Sequence, residues 1–196
     1  MKKLLLLALL VLGTNFAKAQ ESKTSITAGY STVKLKVKIS ASEFDESNSE
    51  SVNGNGFFVG LTREVNINSK YSFKPGILYT QLTPEDSEGD DKLEYLQIPL
   101  LFNYYPNEKV FLTVGPKIDY LLEEEDVDGY RKISFALGLG IGFELSEKLD
   151  LIANYSIQLS DSLGDEYDDD ISNGLGTDIN ATLKQNFFNI GLAYNF

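Results

Sequence analysis

The sequence predicts an all-β fold, an eight-stranded antiparallel up-and-down transmembrane β-barrel, and three observations carry that expectation. Eight segments alternate apolar with small or polar residues at period two, a spacing that sends successive side chains to opposite faces of a strand. The connections between them alternate short and long, as in barrels that cross an outer membrane. The chain opens on Lys2 and Lys3, an apolar run from Leu4 to Leu12, and Ala17-Lys18-Ala19 before Gln20. That is the pattern of a secretory signal peptide, and the run is too short for a helical span of about 20 residues. Residues 1–19 are therefore expected to be a signal, and residues 20–196 one barrel domain in a Gram-negative outer membrane.

The first strand is the least regular. Ile26, Ala28 and Tyr30 share one phase, whereas Val33, Leu35, Val37 and Ile39 share the other, with Lys34, Lys36 and Lys38 between them. A bulge near Ser31-Thr32 would reconcile the two phases; alternatively the upper half stands above the membrane. On the second strand Phe57, Val59, Leu61 and Val65 oppose Phe58, Gly60, Thr62 and Glu64, and Arg63 interrupts the outward row. Near a short turn its long stem can snorkel to the headgroups. On the third, Tyr71, Phe73, Pro75, Ile77 and Tyr79 face out, with Lys74 and Gly76 in. The fourth sends Leu96, Ile98, Leu100, Phe102 and Tyr104 out and Tyr95, Gln97 and Asn103 in.

The fifth alternates Val110, Leu112, Val114, Pro116, Ile118 and Tyr120 against Phe111, Thr113, Gly115, Lys117 and Asp119. The sixth, 133–145, sets Ile133, Phe135, Leu137, Leu139, Ile141, Phe143 and Leu145 against a face that includes Gly138, Gly140, Gly142 and Glu144. The seventh continues with Leu149, Leu151, Ala153, Tyr155, Ile157 and Leu159 outward, and Asp150 and Asn154 inward. The eighth, 183–196, shows Phe188, Ile190, Leu192, Tyr194 and Phe196 on one face. Its terminal aromatic resembles the terminal signal of bacterial outer-membrane barrels. Pro75, Pro99 and Pro116 sit inside strands, where each removes a ladder donor, so bulges or broken ladder bonds are expected there. A soluble lipocalin-like barrel would turn the polar face to solvent, an odd place for Gly138, Gly140, Gly142 and Gly191.

Short turns are expected at 66–70, 106–109 and 146–148, and long loops at 41–55, 83–92, 123–131 and 161–182. The short-turn side would face the periplasm. The long loops hold 21 of the 29 acidic residues against Lys92 and Arg131. If they share one end they form a negative crown that favours cations and repels anions. With the three signal lysines gone the net charge reaches −15, which argues against nucleic acid as a partner. Outer-membrane lipid and lipopolysaccharide are the expected surroundings, with an envelope protein as a further partner and a monomer as the assembly.

The segments Lys74-Pro75-Gly76-Ile77-Leu78-Tyr79 and Tyr95-Leu96-Gln97-Ile98-Pro99-Leu100-Leu101 resemble the PorT-like outer-membrane β-barrel family. The resemblance implies a small eight-stranded outer-membrane barrel and no single activity; PorT itself is associated with protein secretion.

The chain has no His and no Cys, so Ser/His and Cys/His nucleophilic machinery is excluded and no enzyme or cofactor is expected. Glu144 and Asp150 face each other across the 146–148 turn, a carboxylate pair of the kind used in acid–base work that reads foremost as a wet periplasmic rim. The oxygen-rich stretches Asp86, Glu88 and Asp90, then Asp126 and Asp128, then Asp168, Asp169 and Asp170 are candidates for Ca²⁺, with no complete EF-hand spacing. The inferred lumen holds Glu64, Lys74, Gln97, Lys117, Asp119 and Asn154. An eight-stranded barrel has room only for its own side chains, so these groups should form a bonded plug. Pairing Tyr104 with Val110 would set Gln97 opposite Lys117 and Tyr95 opposite Asp119, with Gly138 leaving space for the Lys117 stem. The expected function is a structural, adhesive or partner-binding envelope barrel working through its acidic loops. The alternatives are a narrow porin-like channel or a protein-secretion accessory barrel.

Overall fold

In the computed structural model, residues 22–41, 47–85, 92–122, 131–162 and 179–196 are described. They form a closed barrel of eight strands: β1 (Ser22–Ala41), β2 (Ser47–Asn66), β3 (Tyr71–Pro84), β4 (Leu93–Tyr104), β5 (Val110–Leu121), β6 (Ile133–Ser146), β7 (Leu149–Gln158) and β8 (Ile179–Asn195). Each strand pairs antiparallel with the next, and β8 returns to β1. Closure leaves no sheet edge through the wall, the condition for carrying strands across hydrocarbon.

The outward rows are apolar and exposed, including Val59, Leu61, Val114, Leu139, Ile141, Ile190 and Leu192. Aromatics bracket this aliphatic zone. Toward the short turns lie Tyr71 against Tyr104, Phe73 against Phe102, and Tyr194 against Phe196, with ring centroids 5.2, 5.0 and 5.9 Å apart. Toward the long connections lie Tyr30, Phe57, Tyr79, Tyr120, Phe135, Tyr155 and Phe188, all on outward rows. Two aromatic girdles around an apolar band are the mark of a barrel seated in a bilayer.

Several sequence expectations change. No bulge occurs at Ser31-Thr32: β1 keeps an unbroken register with β2 from Ser22 to Ser40 and with β8 from Ser25 to Ala41. The facing stays constant and the chemistry inverts, so that above Thr32 the lysines point out and Val33 and Leu35 point in. The wall therefore continues past the apolar band, which was the alternative reading. Residues 47–55, expected as loop, belong to β2, because β1 offers a continuous ladder that their Ser/Asn-rich sequence joins. Likewise β8 begins at Ile179, and β7 ends at Gln158.

The prolines break pairing without shifting register. β3–β4 pairing stops at Pro75–Leu100 and resumes at Leu78–Gln97; β4–β5 stops at Pro99–Lys117 and resumes at Phe102–Val114. The offset is the same on both sides of each gap, as expected when a donor is missing but no residue is inserted. The register shift that does occur lies between Glu144 and Ser146, at the tight β6–β7 turn.

Inward glycines let the strands approach closely. Gly29 and Gly191 are cross-strand partners at the β1–β8 seam. A Cβ at Gly29 would lie 2.1 Å from the Ile190 carbonyl oxygen, and one at Gly191 would lie 2.3 Å from that of Ala28. The strong coiling of a narrow barrel needs such positions.

Candidate functional site

The alternation that turns apolar residues to lipid turns the opposite set into the lumen, and the lumen is filled in layers. Nearest the long connections, Val33, Leu82, Tyr95, Leu121 and Phe187 form a buried apolar cluster. Tyr95 meets Phe187 edge to face at 5.2 Å. Further down the barrel, Phe58, Leu78, Phe111 and Ile152 form a second apolar cluster.

A polar layer lies directly under the first cluster. Lys117 Nζ is 3.2 Å from Asp119 Oδ1, donates to Ser156 Oγ at 3.1 Å, and sits 4.4 Å from the centre of the Phe187 ring. The ring face offers a cation–π contact. Asp119 pairs in register with Gln97, whose Oε1 accepts from Thr80 Oγ1 at 3.1 Å.

The other polar layer centres on Glu64, toward the short turns. Its Oε1 accepts from Ser72, from the Tyr105 phenol and, at 3.2 Å, from Asn103 Nδ2. Asn103 Oδ1 in turn accepts from Thr113 Oγ1 at 3.0 Å. Lys74 Nζ lies 3.7 Å from Glu64 Oε2 and 5.3 Å from the Phe111 ring centre. Burial, and then the negative Glu64 beside it, push the Tyr105 phenol above its ordinary range, so it stays a donor. Buried charges persist only when paired and hydrogen-bonded in this way.

Glu64, Lys74, Gln97, Lys117 and Asp119 are thus buried in the lumen, and Asn154 lines the same interior, facing Gly140. The register differs by two residues from the expected one. Tyr104 pairs with Leu112, Gln97 with Asp119, and Tyr95 with Leu121. The space over Gly138 is taken by Leu101, whose Cδ2 would lie 3.1 Å from a Cβ there, and not by the Lys117 stem. An interior gap of about 60 Å³ remains, bounded by residues that include Lys74, Lys117, Leu101 and Asn154. That is room for a water or two.

Glu144 and Asp150 are cross-strand partners at the short-turn rim. Asp150 is buried and its Oδ2 accepts from Asn195 Nδ2 at 3.1 Å, while Asn195 Oδ1 accepts from Ser25 Oγ at 2.6 Å. The second carboxylate is thereby fixed as a clasp between β7, β8 and β1. On the outer face, Arg63 Nη2 donates to Ser22 Oγ at 3.1 Å near the short-turn end. The Ca²⁺ candidates Asp86, Glu88, Asp90, Asp126, Asp128, Asp168, Asp169 and Asp170 lie outside the described residues. Among the described residues no cluster of three or more metal-ligating side chains occurs.

A closed antiparallel barrel with a lipid-facing exterior and an interior packed with apolar and polar layers defines a class: small outer-membrane barrels. The chain belongs to the family of outer-membrane protein β-barrel domains, which matches residues 4–196. No curated protein matches it. Solved structures similar to it include Ail, the attachment invasion locus protein of Yersinia pestis, at 18% identity and a TM-score of 0.48, covering 90% of this chain and 100% of that one. OprG of Pseudomonas aeruginosa is 16% identical with a TM-score of 0.47, covering 90% and 97%. Neisserial surface protein A is 12% identical with a TM-score of 0.48, covering 90% and 100%.

Proposed function

We propose that this outer-membrane barrel is non-conducting and non-enzymatic, a rigid stalk that meets a cationic or metal-bridged envelope partner through its acidic long connections. The observation that supports the reading is the lumen. Two apolar clusters and two paired-charge layers occupy it along its length, so transport is not what the interior is built for. The absence of His and Cys from the sequence and the engagement of Asp150 by Asn195 support a role without catalysis. Within the family, the strand segments Lys74–Tyr79 and Tyr95–Leu101 support a place among the PorT-like barrels.

Reconstitution in planar bilayers tests the reading. The expected record is free of steady current, and long-lived, reproducible open channels overturn it. Calorimetry with Ca²⁺ tests the crown: millimolar binding lost on neutralising Asp168, Asp169 and Asp170 is expected, and a blank titration removes the metal-bridged partner.

A further inference from the structure

The outward face of β1 changes chemistry at one level. Ile26, Ala28 and Tyr30 lie below Thr32, and Lys34, Lys36 and Lys38 lie above it, all exposed. The neighbouring face of β8 does the same, with Ile190 and Phe188 giving way to Asn186 and Lys184. The registers bring these groups together. Lys36 stands directly opposite Lys184, and Lys34 stands between Asn186 on one side and Asn53 on the other. Like charges opposite one another across a ladder are destabilising, unless an anion sits between them. The Lys74–Glu64 and Lys117–Asp119 pairs lie inside the barrel, and among the described residues none of these four ammonium groups has a carboxylate in salt-bridge range.

A cleft of about 370 Å³ opens on the same wall. Tyr30, Tyr155 and Phe188 form its apolar side, and Lys34, Asn53 and Asn186 its polar side. Glu85, which also lines it, is engaged by Asn55 Nδ2 at 3.3 Å. The apolar side is continuous with the lipid-facing row, so the cleft sits where acyl chains end and headgroups begin.

We propose that this wall docks a phosphorylated glycolipid of the outer leaflet. Its phosphate lies among Lys34, Lys36 and Lys184, its sugar rests on the shelf of Tyr30, Tyr155 and Phe188, and Asn53 and Asn186 bond the sugar hydroxyls. The assignment to a lipid rests on the shelf: a free phosphate would meet the lysines and gain nothing from the aromatic side. It draws on the barrel's seat in the membrane and is independent of the acidic connections.

The test uses the full chain folded in neutral detergent micelles and titrated with bisphosphorylated lipid A. Each basic residue near such a charge contributes about fivefold in affinity. K34Q/K36Q/K184Q should bind at least tenfold more weakly and K36Q alone about fivefold, whereas K34R/K36R/K184R should stay within about threefold of wild type. K70Q/K109Q/K148Q removes the same charge from the exposed short-turn end and should change affinity less than twofold. Equal losses in both glutamine triples, or none in the first, overturn the site. Undiminished binding of dephosphorylated lipid A overturns the phosphate. Glucose 1-phosphate binding as tightly as lipid A overturns the lipid.

Discussion

Removing one partner of the Lys117–Asp119 pair tests whether the lumen is closed to bulk water. Lys117→Met keeps the stem and deletes the charge, leaving Asp119, 2% exposed, without the ammonium 3.2 Å away. Breaking a buried pair from one side costs about 3–5 kcal/mol, because the surviving charge is uncompensated. Asp119→Leu should fall at the lower end, about 3 kcal/mol, since Lys117 retains Ser156 and the Phe187 ring. The double variant replaces the pair with apolar groups of similar volume under an apolar layer, and should return to within about 1 kcal/mol of wild type. The assay is equilibrium urea unfolding in phospholipid vesicles, with midpoint and slope read separately. A shifted midpoint at constant slope, and a coupling nearly as large as the two single losses added together, are expected. Single losses below about 1 kcal/mol that simply add would mean that water screens both charges, and the plug would be refuted.

Leu139, midway along its outward row and 40% exposed, should lose about 2–4 kcal/mol on change to Arg, whereas Ile133→Arg at the end of the same strand should lose about 0–1; equal costs in vesicle refolding would remove the lipid-facing assignment. A Cβ at Gly142 would lie 2.0 Å from Phe111 Cζ, so Gly142→Ala should cost about 1–3 kcal/mol, and Phe111→Leu in the same chain should recover most of it; no recovery in urea midpoint places the strain elsewhere. The raised Tyr105 phenol ionises in the unfolded chain near pH 10 while remaining protonated in the fold. Its contribution is present below that pH and lost as pH rises beyond it. Wild type should therefore lose stability more steeply than Tyr105→Phe above pH 10, and parallel midpoint curves from pH 8 to 12 would contradict the bonded Glu64 layer.

The strand count, the closed topology and the lipid-facing rows were legible because period two fixes facing wherever one face is apolar. Leu139 and Leu192 are cases in point, as is the inward set around Lys117. Facing does not fix register. An offset of two preserves every side, which is why Gln97 was set opposite Lys117 and stands opposite Asp119. The upper part of β2 was illegible for another reason. Ser47 to Asn55 carries turn-favouring residues and few apolar ones, and its strand exists because β1 pairs with it. Phe187 lies on the face of the eighth strand opposite its apolar row, among Asn189, Gly191 and Asn195, yet it is 1% exposed. Only the neighbours Tyr95 and Leu82, distant in sequence, show that row to be a core at its upper end.

The β1–β8 seam has a consequence for how the molecule is assembled. Hairpins join neighbours in sequence, but the seam joins the two ends, with Ser25 and Asn195 separated by 170 positions. Contacts of such separation carry the largest loop-closure entropy and form late. The seam is also among the longest ladders, with seventeen residue pairs against eight between β4 and β5. The last joint to form is therefore one of the most extensive, so that zipping it gives back what bringing the ends together costs. Gly29 and Gly191 lie within this ladder, at a point where a side chain would hold the two strands apart. A methyl group there is expected to strand the chain as a complete but unclosed sheet, visible as a form with native hairpins and a protease-sensitive seam.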